Sequence, residues 1–269
     1  MGEFIACANQ KGGVGKTTTV INLAAYLALA GQRVLVVDLD PQGNATSGLG
    51  LDRNAQFGSI YQALLGESTA RDLARETLVE NLWIIPSGSE LAGAEIELIT
   101  LGQRERRLQQ ALAELREEFD FVLLDCPPAV GLLTVNALTA ADGVLVPIQC
   151  EYYALEGLSQ LLSTINLVRD NLNPQLRLAG VLLTMYDART TLSADVAAEV
   201  RRHLGSSVFT SVIPRSVRLA EAPSYGRPIA RYSPESRGAH AYQALAAEIL
   251  ERYGKTDQEQ PNEQMAVSA

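Results

Sequence analysis

The run Asn9-Gln10-Lys11-Gly12-Gly13-Val14-Gly15-Lys16-Thr17-Thr18 holds the densest group of residues suited to chemistry in the chain. Gly12, Gly13 and Gly15 tolerate dihedrals closed to other residues and let the main chain come close, so backbone N–H groups can wrap phosphate oxygens. Lys16 offers a point charge to β- and γ-phosphates, and the Thr17 hydroxyl has the right length to ligate Mg²⁺. Val14 and Thr18 complete the loop, which predicts a nucleoside triphosphate site. Three carboxylates join it. Asp125 ends the apolar run Phe121-Val122-Leu123-Leu124, where an acid can hold Mg²⁺ through a water. Asp38 and Asp40, in Asp38-Leu39-Asp40-Pro41-Gln42-Gly43-Asn44, follow the run Val34-Leu35-Val36-Val37. Asp38 is placed to support the metal from behind, and Asp40, further out, to orient or deprotonate an attacking water. Late in the chain, Pro214 and Ser216 can flank and hydrogen-bond a purine while Met185 packs on its face. The same spacing also describes a plain strand-to-helix turn.

These residues need strands to place them. Phe4 to Ala8 reads as a strand, followed by the glycine loop and a helix through Val20, Leu23, Ala24 and Leu27 that Gly31 closes. The helix start near Lys16 would turn its positive end toward the anion. Arg33 to Asp38 reads as a buried parallel strand. Ligands of open α/β sheets gather at the carboxyl ends of the strands, which brings both aspartates near the loop. Further strands are expected at 82–86, 121–125, 143–147, 178–185 and 208–213. Helices are expected at 60–65, 90–99, 104–118, 133–141, 153–170 and 238–253. In 104–118 the buried side is Leu108, Leu112 and Leu115, which leaves its arginines to solvent. The pattern predicts an α/β fold, a doubly wound and mostly parallel sheet with helices on both faces. One P-loop domain over 1–253 and a polar, disordered tail over 254–269 are expected.

Composition narrows the function classes. Across 269 residues no long apolar run could span a membrane, and polar Asn9 and Gln10 interrupt the first apolar run before it resembles a signal peptide. A cytoplasmic location is expected. Cys7, Cys126 and Cys150 are scattered in apolar surroundings and read as buried thiols, and two histidines are too few for a zinc cluster. The formal net charge of −9 opposes simple attraction of the whole molecule to nucleic acid. Charge is uneven, however: residues 177–237 hold nine arginines against five acids, a local +4 that leaves −13 elsewhere.

The loop departs from an ordinary P-loop, with Gln10 where a glycine is usual and an additional Lys11. The form Lys-Gly-Gly-x-Gly-Lys-Thr-Thr resembles the deviant Walker A loop of the ParA/MinD/nitrogenase iron protein group. Asp38-Leu39-Asp40-Pro41-Gln42-Gly43-Asn44 and Gln149-Cys150-Glu151-Tyr152-Tyr153-Ala154-Leu155-Glu156-Gly157 narrow the resemblance to the chromosomal ParA/Soj subgroup, over about residues 4–250. The resemblance implies that Lys11 reaches a partner's nucleotide across a dimer interface and that Asp40 is catalytic beside Lys11 and Lys16. It implies an adenine site at Met185, Pro214 and Ser216. It further implies ATP and Mg²⁺, with Thr17, Asp125 and Asp38 at the metal, and an ATP-bound homodimer. That dimer would bind double-stranded DNA without sequence preference, on the nucleoid, through basic residues assigned here to Arg189, Arg201, Arg202, Arg215 and Arg218. A ParB-like centromere-binding protein would stimulate slow hydrolysis and so release the DNA.

Rival classes make different demands. A membrane-bound MinD-like regulator is the alternative; such relatives end in a basic amphipathic helix, whereas Asp257-Gln258-Glu259-Gln260-Pro261-Asn262-Glu263 is acidic and broken by proline. No membrane binding is expected. An iron–sulfur carrier would need cysteines paired at a subunit seam, and a scaffold would dimerise on ATP without DNA. The short stretch before the first strand also leaves no expected helix-turn-helix domain.

Overall fold

A computed structural model of the chain describes residues 1–52, 58–151 and 154–254, without the side chains of 154–156. The expected tail thus falls almost entirely outside the described residues. Eight strands form one sheet: β1 Glu3–Cys7, β2 Val34–Asp38, β3 Arg75–Glu76, β4 Leu82–Ile85, β5 Phe121–Asp125, β6 Gly143–Gln149, β7 Arg177–Tyr186 and β8 Val208–Pro214. Their spatial order is β3-β4-β2-β5-β1-β6-β7-β8. All pairings are parallel except that of the two-residue edge strand β3 with β4.

The helices run in chain order as α1 Lys16–Leu29, α2 Asn44–Gly48, α3 Ile60–Leu65, α4 Ala70–Leu73, α5 Leu91–Ile99, α6 Arg107–Ala111, α7 Leu132–Ala140, α8 Ala154–Asn171, α9 Thr191–Leu204, α10 Val217–Glu221, α11 Ile229–Tyr232 and α12 Arg237–Gly254. Alternation along the strands divides the apolar side chains between two cores. Phe4, Ala6, Leu35, Val37, Val122 and Leu124 face the layer containing α5, α7 and α8. Ile5, Cys7, Val34, Val36 and Leu123 face α1 and α12, where Leu23, Leu27, Tyr242 and Leu245 are fully buried. Burying a side chain such as Leu23 stabilises by about 1.5–3 kcal/mol. The doubly wound α/β architecture read from the sequence is therefore the observed one. Gly31, at φ 88°, ends α1 as expected.

The expected single helix over 104–118 is broken. Residues Arg104–Arg106 and Ala113–Glu117 form short 3₁₀ turns on either side of α6. The cause is tertiary. Asn136 of α7 accepts from the Leu108 N–H (3.0 Å) and donates to the Arg104 carbonyl (2.8 Å), taking both ends of the i to i−4 bond a continuous helix would make. Leu108, Leu112 and Leu115 are buried as the pattern requires. Arg104 is exposed as expected, but the other three arginines are not left to solvent: Arg106 donates to the Leu172 carbonyl, Arg107 to the Leu64 carbonyl, and Arg116 to Asp142. All three cysteines are buried free thiols. Among the described residues no helix is long and apolar enough to cross a membrane.

Candidate functional site

The glycine loop joins β1 to α1, so it sits at the carboxyl end of the central strand. Gly13 and Gly15 have φ of 76° and 90°, the left-handed region in which a side chain would be strained. The loop is tied down on both sides. Asn9 donates to the Pro147 carbonyl (2.7 Å) and accepts from the Lys11 N–H (2.9 Å), and the Thr184 hydroxyl donates to the Val14 carbonyl (2.8 Å). Thr184 and Asn9 were not singled out from the sequence. Lys16 is buried, and its ammonium reaches the Lys11 carbonyl through a long 3.3 Å bond that spans the loop. That geometry, with α1 opening at Lys16, suits a polyphosphate resting on backbone N–H groups and a lysine.

Beside the loop lie the three aspartates. Asp38 and Asp125 are register partners at the ends of adjacent β2 and β5, and both are fully buried. Asp38 is fully engaged: its oxygens accept from the Thr46 N–H (2.8 Å), the Thr46 hydroxyl (2.7 Å) and the Asp40 N–H (3.2 Å). Burial nevertheless pushes its carboxyl up to about 6. Asp125 differs. Neither of its oxygens finds a hydrogen-bond partner of normal length among the described residues. Burial, then repulsion from Asp38, pushes its carboxyl well above the ordinary range, and the nearby Thr17 hydroxyl and Lys16 charge only partly oppose this.

A buried carboxylate in that state needs a cation or a proton. Thr17 and Asp125 thus fit a Mg²⁺ ion, with Asp38 fixed behind them. Among the described residues no group of three or more His, Cys, Asp and Glu forms a metal cluster. Mg²⁺ does not require one, since one or two carboxylates plus phosphate and water complete its shell. Asp40 is nearly buried, and the Gln42 N–H holds one of its oxygens (3.0 Å).

Met185, Pro214 and Ser216 do come together. With Gly15, Thr18 and Tyr242 they line a mostly apolar cleft of about 360 Å³ that opens from the loop. Met185 has φ 51°, an unusual value for a bulky residue, and it lies where the β7–β8 register shifts. Strain of this kind concentrates at ligand clamps.

Lys11 is half-exposed and forms an ion pair with Glu151 (3.1 Å), at the end of β6. Glu151 also lies 3.9 Å from Arg215. Glu151 was missed from the sequence, although its place just beyond a strand end was a signal. Most of the arginines assigned to DNA are engaged by acids. Arg189 lies bidentate on Asp187 (2.9 and 2.7 Å), Arg218 pairs with Glu221 (3.0 Å) and Arg202 with Glu199. Arg201, in the last turn of α9, reaches the Thr210 carbonyl of β8.

A glycine loop between a central parallel strand and its helix, flanked by buried aspartates on neighbouring strand ends, defines a P-loop nucleoside triphosphatase fold. A protein-family model described as an AAA domain matches residues 2–178. The chain is 55% identical over 249 residues to the sporulation initiation inhibitor protein Soj of Bacillus subtilis, covering 93% of this chain and 98% of that one. It is 52% identical to the chromosome partitioning protein ParA of Myxococcus xanthus, covering 94% and 89%. A crystal structure of a Mycobacterium smegmatis protein described as cobyrinic acid a,c-diamide synthase, with an ATP analogue and magnesium bound, superposes with a TM-score of 0.84 at 41% identity. That match covers 98% of this chain and all of the other. The chain belongs to the Soj/ParA family of chromosome-partitioning ATPases.

Proposed function

We propose that the chain, folded as one domain over 1–253, is a Mg·ATP hydrolase that works as a nucleotide-dependent DNA-binding dimer in chromosome or plasmid segregation. The observation that carries this reading is Asp125, a fully buried carboxylate without a normal hydrogen bond next to Thr17 and the phosphate loop. The names of the Soj and ParA relatives, and the nucleotide and magnesium in the related crystal structure, support it.

In this reading the residues Gly12 to Thr18 receive the phosphates and Lys16 moves its ammonium from the Lys11 carbonyl onto them. Met185, Pro214 and Ser216 take the adenine. Thr17 and Asp125 would hold Mg²⁺, which when bound offsets negative charge on the β- and γ-phosphates. Asp40 orients the attacking water and accepts its proton. Lys11 leaves Glu151 to reach the nucleotide of a second copy. The paired chains contact DNA phosphates through arginines of the C-terminal part, among them Arg189, Arg201, Arg202, Arg215 and Arg218. Turnover is slow without help, because a lone carboxylate is a weak general base for water. A ParB-like centromere-binding protein accelerates it, and hydrolysis separates the dimer. The protein works in the cytoplasm on the nucleoid, without membrane attachment.

The test is gel filtration of Asp40→Ala with Mg·ATP, followed by addition of random duplex DNA. Dimerisation and then co-elution are expected. A strict monomer would reduce the reading to nucleotide binding alone, and flotation with liposomes would point to the membrane-bound alternative.

A further inference from the structure

Pairing is uneven among the nine arginines of the basic region from 177 to 237. Arg177, Arg189, Arg202 and Arg218 each face an acid within 3.0 Å. Arg227 and Arg231 do not. Among the described residues no hydrogen bond or ion pair engages either guanidinium, and both residues are exposed. They line a surface cavity of about 250 Å³ with Leu78 and Pro228. Leu78 is 72% exposed, an apolar floor between two free cations. Glu76 and Glu80 flank Leu78 between β3 and β4, yet among the described residues neither forms an ion pair with these arginines.

Two contacts fix this cavity to the nucleotide site. Gly50 (φ 90°) and Gly226 (φ 62°) pack backbone to backbone, and a Cβ on Gly226 would stand 2.9 Å from the Gly50 Cα. Gly50 lies four residues beyond Thr46, whose N–H and hydroxyl hold Asp38. On the other side the Ile229 N–H donates to Asn22 of α1 (2.6 Å), the helix that opens at Lys16. Arg227 and Arg231 therefore sit on a segment anchored both to the aspartate segment and to the phosphate-loop helix.

We infer that Arg227 and Arg231, over the floor of Leu78 and Pro228, form a binding site for the phosphodiester backbone of double-stranded DNA. This rests on the reading that the ATP-loaded chain binds DNA. Free guanidiniums suit the task because they match phosphate bidentately and need not first leave a carboxylate. Contacts of this type carry no sequence information and weaken with salt. The anchored segment gives the nucleotide site a way to set where the two charges stand.

The experiment measures anisotropy of a labelled random duplex against the full chain with Mg·ATP over a salt series. Wild type is compared with the Arg227→Gln/Arg231→Gln pair and with Arg227→Lys/Arg231→Lys. The Gln pair is expected to bind about tenfold or more weakly on every sequence, and the slope of log K against log salt to become shallower by about 1 per arginine per bound protomer. The Lys pair keeps most of the slope. Binding of a fluorescent ATP analogue stays at the wild-type value, which shows an intact fold. If wild type binds DNA and the Gln pair binds equally with the same slope, this site is wrong while the DNA reading stands. If wild type fails to bind, both fall. Loss of binding to vesicles of anionic phospholipid, with DNA binding kept, would also overturn it, in favour of a membrane contact.

Discussion

Replacing Asp125 by asparagine is expected to stabilise the nucleotide-free protein and to abolish its response to magnesium. Asp125 and Asp38 are register partners on β5 and β2, so their carboxyls stand about one strand spacing, or roughly 5 Å, apart. At an effective dielectric constant of about 20, two unit charges at that separation repel by roughly 3 kcal/mol. Burial of Asp38 is a separate cost of the same scale. A rise from 3.8 to about 6 corresponds to about 3 kcal/mol. The sign is that of an acid whose folded pKa is raised: the folded chain takes up the proton more readily, so this stability is complete below the unfolded value and is lost as pH rises through about 6. Thermal unfolding followed by circular dichroism is the assay. At about pH 8 the variant should melt roughly 6 °C higher, taking about 2 °C per kcal/mol for a chain of this size. At about pH 5, below the folded value of Asp38, the gain should shrink by half or more. Mg·ADP should raise the wild-type midpoint above that of ADP with chelator, and the variant should show no such increment. A variant that melts at or below wild type at the higher pH would refute the reasoning, because it would mean that the Asp125 charge is already compensated in the free protein.

Other perturbations test neighbouring contacts. Thr46→Val removes a donor from buried Asp38 and should cost about 1–3 kcal/mol; because that donor favours the ionised form, urea denaturation should show a larger loss above about pH 6 than below it. Equal losses at both would leave only a packing role for the hydroxyl. Glu151→Gln releases Lys11 and Arg215 at little cost to stability, about 0–1 kcal/mol. Sedimentation with Mg·ATP should show dimerisation tightened up to about fivefold, and weaker pairing would count against Lys11 acting in trans. Gly226→Ala places a Cβ 2.9 Å from the Gly50 backbone at φ 62° and should destabilise by at least about 1 kcal/mol; an unchanged midpoint would show that this contact yields freely.

The sheet and its loop were legible because parallel strands buried on both faces must be continuously apolar, and because Gly13, Gly15, Lys16 and Thr17 combine backbone freedom, charge and a hydroxyl in one decapeptide. Strand-end placement then located Asp38, Asp40 and Asp125 without any contact being known. What the sequence could not display are partners remote along the chain. Thr46 matters because its donors meet Asp38 eight residues back, and Glu151 because folding carries it 140 residues back to Lys11. The arginines show the same limit. Counting charges located a basic region but gave no sign that Asp187 and Glu221 would occupy Arg189 and Arg218 while Arg227 and Arg231 remained open.

Asn136 shows how far such remote decisions reach. Its amide stands in for one missing rung between Arg104 and Leu108, so the winding of that stretch is decided by a side chain some thirty positions away. Excised as a free peptide, residues 104–118 would be released to close that rung themselves and coil as one piece. Inside the protein they are held as three stubby segments.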